Sequence, residues 1–98
     1  MAEIRWTEEA AAWLSDIYEY ISEDNPVAAQ QVVEGIYEKA QVLKVFPKIG
    51  YQYKDEVDGE IRILLYGHYR IAYLVRPDLV EILGVFHGAL DIQRYIQQ

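Results

Sequence analysis

EIRILLYGHYRIAYLVRPDLVEILGVFH, residues 60–87, places three apolar runs around two short turns. EIRILLY (60–66), YRIAYLV (69–75) and LVEILGVFH (79–87) are rich in leucine, β-branched and aromatic residues. The turns GH and RPD are short enough for hairpins, so the three runs predict an antiparallel meander. Its alternation is unusual. Ile61, Ile63 and Leu65 alternate with Arg62, Leu64 and Tyr66; Tyr69, Ile71, Tyr73 and Val75 alternate with Arg70, Ala72 and Leu74. The third run sets Val80, Ile82, Gly84 and Phe86 against Glu81, Leu83, Val85 and His87. A sheet wet on one side alternates cleanly between apolar and polar residues, whereas here the second face is half apolar. Helices of the same chain cover only one face. The pattern therefore favours a partner on the other, over cover by a loop and the C-terminal tail.

Upstream, KIGYQYKDEVDG (48–59) is polar and turn-rich and reads as a loop. Before it stand two helices. Thr7 reads as an N-cap with Glu8 and Glu9 in the favourable first turn, and Ala10, Trp13, Leu14, Ile17, Tyr18 and Ile21 recur at helical spacing over 8–22. SEDNP breaks this helix. Asn25 can cap the next one, with Pro26 in its first turn and Ala29, Val32, Val33, Ile36, Ala40 and Leu43 as its stripe. The Phe46-Pro47 pair stops it near Val45. A turn this short makes the helices an antiparallel pair. EIRW (3–6) is a short strand, and DIQRYIQQ (91–98) is a tail helix or a loose end. The expected fold is α+β: β-α-α-β-β-β, an antiparallel sheet with a helical hairpin packed on one face, in a single domain over 1–98.

The bulk numbers narrow the function. The chain is 98 residues long with 52% hydrophobic residues and nine tyrosines, too apolar for a disordered segment. It has no cysteine, which excludes disulfides and thiolate metal sites. Two histidines with scattered carboxylates match no ligand spacing, and no glycine-rich phosphate loop is present, so neither metal nor cofactor is expected. No run approaches the ~20 apolar residues of a membrane helix, so no membrane partner is expected and the cytoplasm is the default location. Nine basic against sixteen acidic residues give a net charge of −7, which disfavours broad binding to nucleic acid. Trp6 and Trp13 read as core, and His68 as a solvated turn residue.

The ordered set of features resembles the ParE branch of the RelE/ParE toxins. The resemblance is carried by the opening Trp6, Asn-Pro-x-Ala-Ala between the helices, and Leu…Phe-Pro-x-x-Gly at their exit. Downstream it is carried by the strands IRILL and YRIAY and the closing HGALD. It spans about Ile4 to Asp91. It implies the toxin of a type II toxin–antitoxin pair, neutralised by a cognate antitoxin encoded beside it, as a homodimer or a heterotetramer with that antitoxin. The ParE branch is associated with poisoning DNA gyrase, the RelE branch with cleaving messenger RNA on the ribosome.

Metal-free RNA cleavage needs a base, charge stabilisation and an acid. By the resemblance, Arg70 stands in the place of the RelE-type strand arginine, and Tyr95 can stand in that of the terminal tyrosine. The lysine positions fall near Ile61 and Ile63, and the late arginine near Ala89 or Leu90, all apolar. An alternative trio is Arg62, Arg70 and His87. Inhibition by binding asks only for a surface, and arginines among leucines suit one. In simple register Arg62 and Arg70 share the half-apolar face, so the expected binding residues are Arg62, Leu64, Arg70, Leu74, Leu83 and His87. The competing reading pairs each arginine with a glutamate such as Glu81. Family members often carry basic residues where this chain has Tyr51 and Leu90, which leaves a third reading, a non-toxic homologue that binds antitoxin. The sequence thus favours a gyrase-binding toxin over a ribonuclease. Gly88 permits the turn after His87, and Asp91 can cap the C-terminal tail.

Overall fold

The Thr7 side chain joins the two layers of the molecule. Its hydroxyl donates to the Ile82 carbonyl at 2.8 Å and accepts from the Ala10 amide at 3.1 Å, so the cap that starts the first helix also fixes it to the sheet. The computed structural model describes residues 1–88. Its elements are β1 (Glu3–Trp6), α1 (Glu8–Ser22), α2 (Pro26–Gln41), a 3-10 turn (Val42–Lys44), β2 (Tyr51–Glu56), β3 (Gly59–Tyr66), β4 (Tyr69–Arg76) and β5 (Leu79–His87). Asn25 caps α2 by accepting from the Ala28 amide at 3.0 Å, with Pro26 at the first helical position as the sequence predicts. The expected closing helix over 91–98 lies outside the described residues. No helix among residues 1–88 is long and apolar enough to cross a membrane.

The sheet runs in the order β1-β5-β4-β3-β2. β3 to β5 form the expected antiparallel meander, β2 extends it antiparallel on one edge, and β1 adds a parallel edge on the other, pairing Glu3 with Leu79 and Trp6 with Ile82. The segment 48–59, read as a loop, contains β2. That reading is corrected for a physical reason. β2 is an edge strand whose residues are all exposed except half-buried Tyr53, so it lacks the alternation that betrays a half-buried strand.

α1 and α2 cover one face of the sheet. Ala10, Ile36, Ala40 and Leu43 pack there with Leu64, Ile71, Tyr73, Val75, Val80, Ile82 and Val85. Burial of each such large side chain contributes on the order of 1.5–3 kcal/mol. The opposite face is not the open surface that the alternation favours. Ile63, Ala72 and Phe86 form a second buried cluster with Trp13, Tyr53 and Leu83 packed against it, and Trp13 meets the Phe86 ring edge-on at 4.8 Å. Ile61 and Leu74 are buried as well.

Candidate interaction surface

Arg62 and Tyr73 are cross-strand partners on β3 and β4, and both reach toward the segment that leaves the helices. Arg62 Nε donates to Glu60 Oε1 at 2.8 Å, while its Nη1 donates to the carbonyls of Lys48, at 3.1 Å, and of Gly50. The Gly50 amide donates to the Tyr73 hydroxyl at 3.0 Å. Gly50 is required here: a Cβ would stand 2.5 Å from the Ile63 carbonyl oxygen and 2.7 Å from the Tyr73 hydroxyl. The backbone at 48–50 is thus fixed from beneath by two sheet side chains. The Arg62 hydrogen bond holds the Glu60 carboxyl below its usual range against an opposing desolvation, with the charges of Arg62 and Lys48 assisting. Burial pushes the Tyr73 hydroxyl up, opposed by the Gly50 amide and the Arg62 charge.

What this fixture displays is apolar. Val45, Phe46 and Ile49 are 58%, 59% and 55% exposed, and Tyr51 comes after them at the start of β2, also exposed. The segment closes on itself: the Phe46 amide donates to the Val42 carbonyl at 3.0 Å, and the Ile49 amide to the Phe46 carbonyl at 3.2 Å. Lys48 lines the same surface, and Lys44, next in sequence to Val45, is exposed.

The expected binding residues do not form one surface. Leu65 pairs with Arg70 and Arg62 with Tyr73, so the two arginines lie on opposite faces of the sheet. The expectation that they share a face is corrected. Leu64 is buried in the core beneath the helices, and Leu74 is buried on the other face. Leu83 is half-buried over Phe86. Arg70 donates to the Tyr51 hydroxyl at 3.3 Å and has no carboxylate partner among the described residues, next to half-exposed Leu65. Arg62 does pair with a glutamate, but it is Glu60; Glu81 instead pairs with Arg76 at 3.3 Å.

His87 is exposed at the far end of β5. Its ring meets Tyr69 edge-on at 5.4 Å and lies 6.1 Å from that of His68, which is exposed in its turn as expected. Trp13, Asp16, Ile17, Tyr20 and Ile21 complete an open groove of about 470 Å³ with Tyr69 and His87. Burial pushes the Tyr69 hydroxyl up.

The trio of Arg62, Arg70 and His87 does not converge. His87 pairs with Tyr69 and Arg62 with Tyr73, four residues apart along β4 or about 13 Å at 3.3 Å per residue. Arg70 points to the other side. No single substrate phosphate sits within hydrogen-bond reach of all three. Tyr95 lies outside the described residues. No group of three or more His, Asp or Glu residues that could hold a metal occurs among the described residues.

Sequence reasoning missed Lys44, Val45, Phe46, Lys48 and Ile49 as a displayed group. The signal was present: Phe46-Pro47 stops a helix, but an apolar run beyond a helix stop has no stripe to join.

Residues 4–92 match the model of a family described as the ParE toxin of type II toxin–antitoxin systems, parDE. Eight chains of solved structures match. Among the most similar is one from a chromosomal ParDE TA system from P. aeruginosa, 27% identical, covering 91% of this chain and 98% of that one at a TM-score of 0.74. No curated protein matches.

Proposed function

The chain belongs to the ParE toxin family, the toxin component of type II toxin–antitoxin systems, and from that premise we propose that it acts by binding DNA gyrase and is neutralised by a cognate antitoxin protein encoded beside it. The observation that carries this reading is the dispersal of Arg62, Arg70 and His87 over two faces and two ends of the sheet. Groups so placed suit contact with a large surface and not concerted proton transfer at one phosphate. A toxin that holds its target in one state needs shape, exposed anchors and charge, all of which a small rigid domain can supply. Action on gyrase places the protein in the cytoplasm.

The test is induction of the gene with and without its neighbouring antitoxin gene. The expected result is growth arrest with a DNA-damage response, relieved by the antitoxin, and inhibition of purified gyrase by purified protein. Rapid cleavage of transcripts on ribosomes with no DNA damage would overturn the gyrase reading in favour of a ribonuclease. Absence of any growth defect, with the antitoxin still bound, would favour a non-toxic homologue. Light scattering of the purified complex distinguishes a heterotetramer from a simple heterodimer.

A further inference from the structure

We propose that Lys44, Val45, Phe46, Lys48 and Ile49 form a docking surface for an acidic, apolar segment of the antitoxin. The inference rests on the toxin reading above and adds the place and the chemistry of the contact.

Charge supplies the first argument. Residues 39–54 hold Lys39, Lys44, Lys48 and Lys54 and no acid, in a chain whose net charge is −7. Residues 6–38 show the reverse, with eight acids and no basic residue. The segment from Lys39 to Lys54 is therefore a basic island on an acidic protein. Its lysines are only loosely engaged: Lys48 and Lys54 stand 3.7 Å from Glu60 and Glu56, and Lys44 has no carboxylate partner among the described residues. A complementary segment carries carboxylates, whose attraction to such an island speeds and orients encounter.

Apolar exposure supplies the second. Val45, Phe46 and Ile49 are each more than half exposed and line one shallow concavity with Pro47 and Lys48, so water meets an apolar patch beside a lysine. Rigidity supplies the third. Arg62 and Tyr73 hold the backbone at 48–50 before any partner arrives, so the main chain under Lys48 and Ile49 has little freedom left to lose on binding.

The antitoxin fits better than other occupants. A patch left permanently in water promotes association, whereas a toxin at rest is covered by its antitoxin. Nucleic acid would meet lysines here, but a phosphate backbone offers no apolar surface to the exposed Val45, Phe46 and Ile49 side chains, whereas an acidic, apolar peptide matches both.

The test titrates the purified toxin with the antitoxin encoded beside it, by calorimetry at low and high salt. Phe46→Ser combined with Ile49→Ser, and separately Lys44→Gln combined with Lys48→Gln, should each weaken binding about tenfold or more, as loss of central anchors does. The lysine variant should also reduce the fall of affinity with salt. Val27→Ser, an equally exposed apolar residue on α2, should change nothing. Thermal unfolding of each variant separates lost contact from lost fold. Should either pair melt early, Phe46→Ser and Lys48→Gln alone carry the comparison. Antitoxin affinity within about twofold of wild type for both pairs overturns the surface while leaving the toxin reading intact. An antitoxin that fails to bind the wild type overturns both. Unchanged antitoxin binding with lost gyrase inhibition, lost self-association or lost retention of RNA overturns the proposal in favour of the target, a second copy or nucleic acid respectively.

Discussion

The Tyr73 hydroxyl, on a side chain with no exposed surface, accepts the amide of Gly50, 23 residues earlier in the chain, at 3.0 Å. One buried oxygen thereby fixes where the chain turns from the helical layer into the sheet. Tyr73→Phe leaves the Gly50 amide buried without its partner and should cost about 1–3 kcal/mol. Chemical denaturation measures the loss, and faster hydrogen exchange at Gly50 assigns it to this bond.

Glu60 gives the molecule a predictable response to acid. Its folded pKa lies below the ordinary value of 4.5, chiefly through the Arg62 hydrogen bond. A group depressed in this way stabilises the fold above its unfolded pKa, and that contribution is lost as pH falls through the folded value. Arg62→Gln should move the Glu60 titration up toward 4.5 and flatten the acid limb of stability. NMR titration of the Glu60 side chain in both proteins checks the direction.

Thr7→Ala removes both bonds of one hydroxyl, the helix cap to Ala10 and the tie to Ile82. The expected loss is about 1–2 kcal/mol, at the upper end for a cap because the second bond joins the layers. Thr7→Ser keeps both bonds and should recover most of the loss, as a thermal melt of the three proteins would show.

Leu64 and Arg70 separate core from surface. Leu64→Ala should destabilise by roughly 2–5 kcal/mol, because its site lies sealed between sheet and helices. Arg70→Ala should stay within about 0.5 kcal/mol of wild type, since the described contact of Arg70 is a 3.3 Å bond to an exposed tyrosine hydroxyl. Antitoxin and gyrase binding measured on the Arg70 variant then report contact and not folding.

These side chains also mark how much of the fold was legible in the sequence. Thr7, Asn25 and Pro26 announce both helices, because a cap is a local chemical act that the neighbouring residues complete. The strands β3 to β5 are legible for the same local reason, since two-residue turns join apolar runs. β2 was hidden because an edge strand of polar residues has no buried side to write into its sequence. The two arginines were misplaced through register. A two-residue turn pairs Tyr66 with Tyr69, so even-numbered residues of β3 share a face with odd-numbered residues of β4. Arg62 and Arg70 cannot then be neighbours, a deduction available from the turn length alone. The bonds of Gly50 to Arg62 and Tyr73 were beyond sequence, because they depend on where a non-repetitive segment crosses the sheet.

The parallel pairing of β1 with β5 has a consequence for synthesis of the protein. Glu3 meets Leu79, and Thr7 reaches Ile82 across 75 residues of chain. The first strand to leave the ribosome therefore has no edge to join until nearly the last one emerges behind it. Contacts of such long separation are made late, after the loop they close has been brought together. A nascent chain interrupted before β5 can form its helical hairpin and the β2–β4 strands, but it lacks the strand, next to the sheet edge, on which β1 and the Thr7 anchor depend. Docking of β1 and of the Thr7 anchor is thus timed by translation of β5.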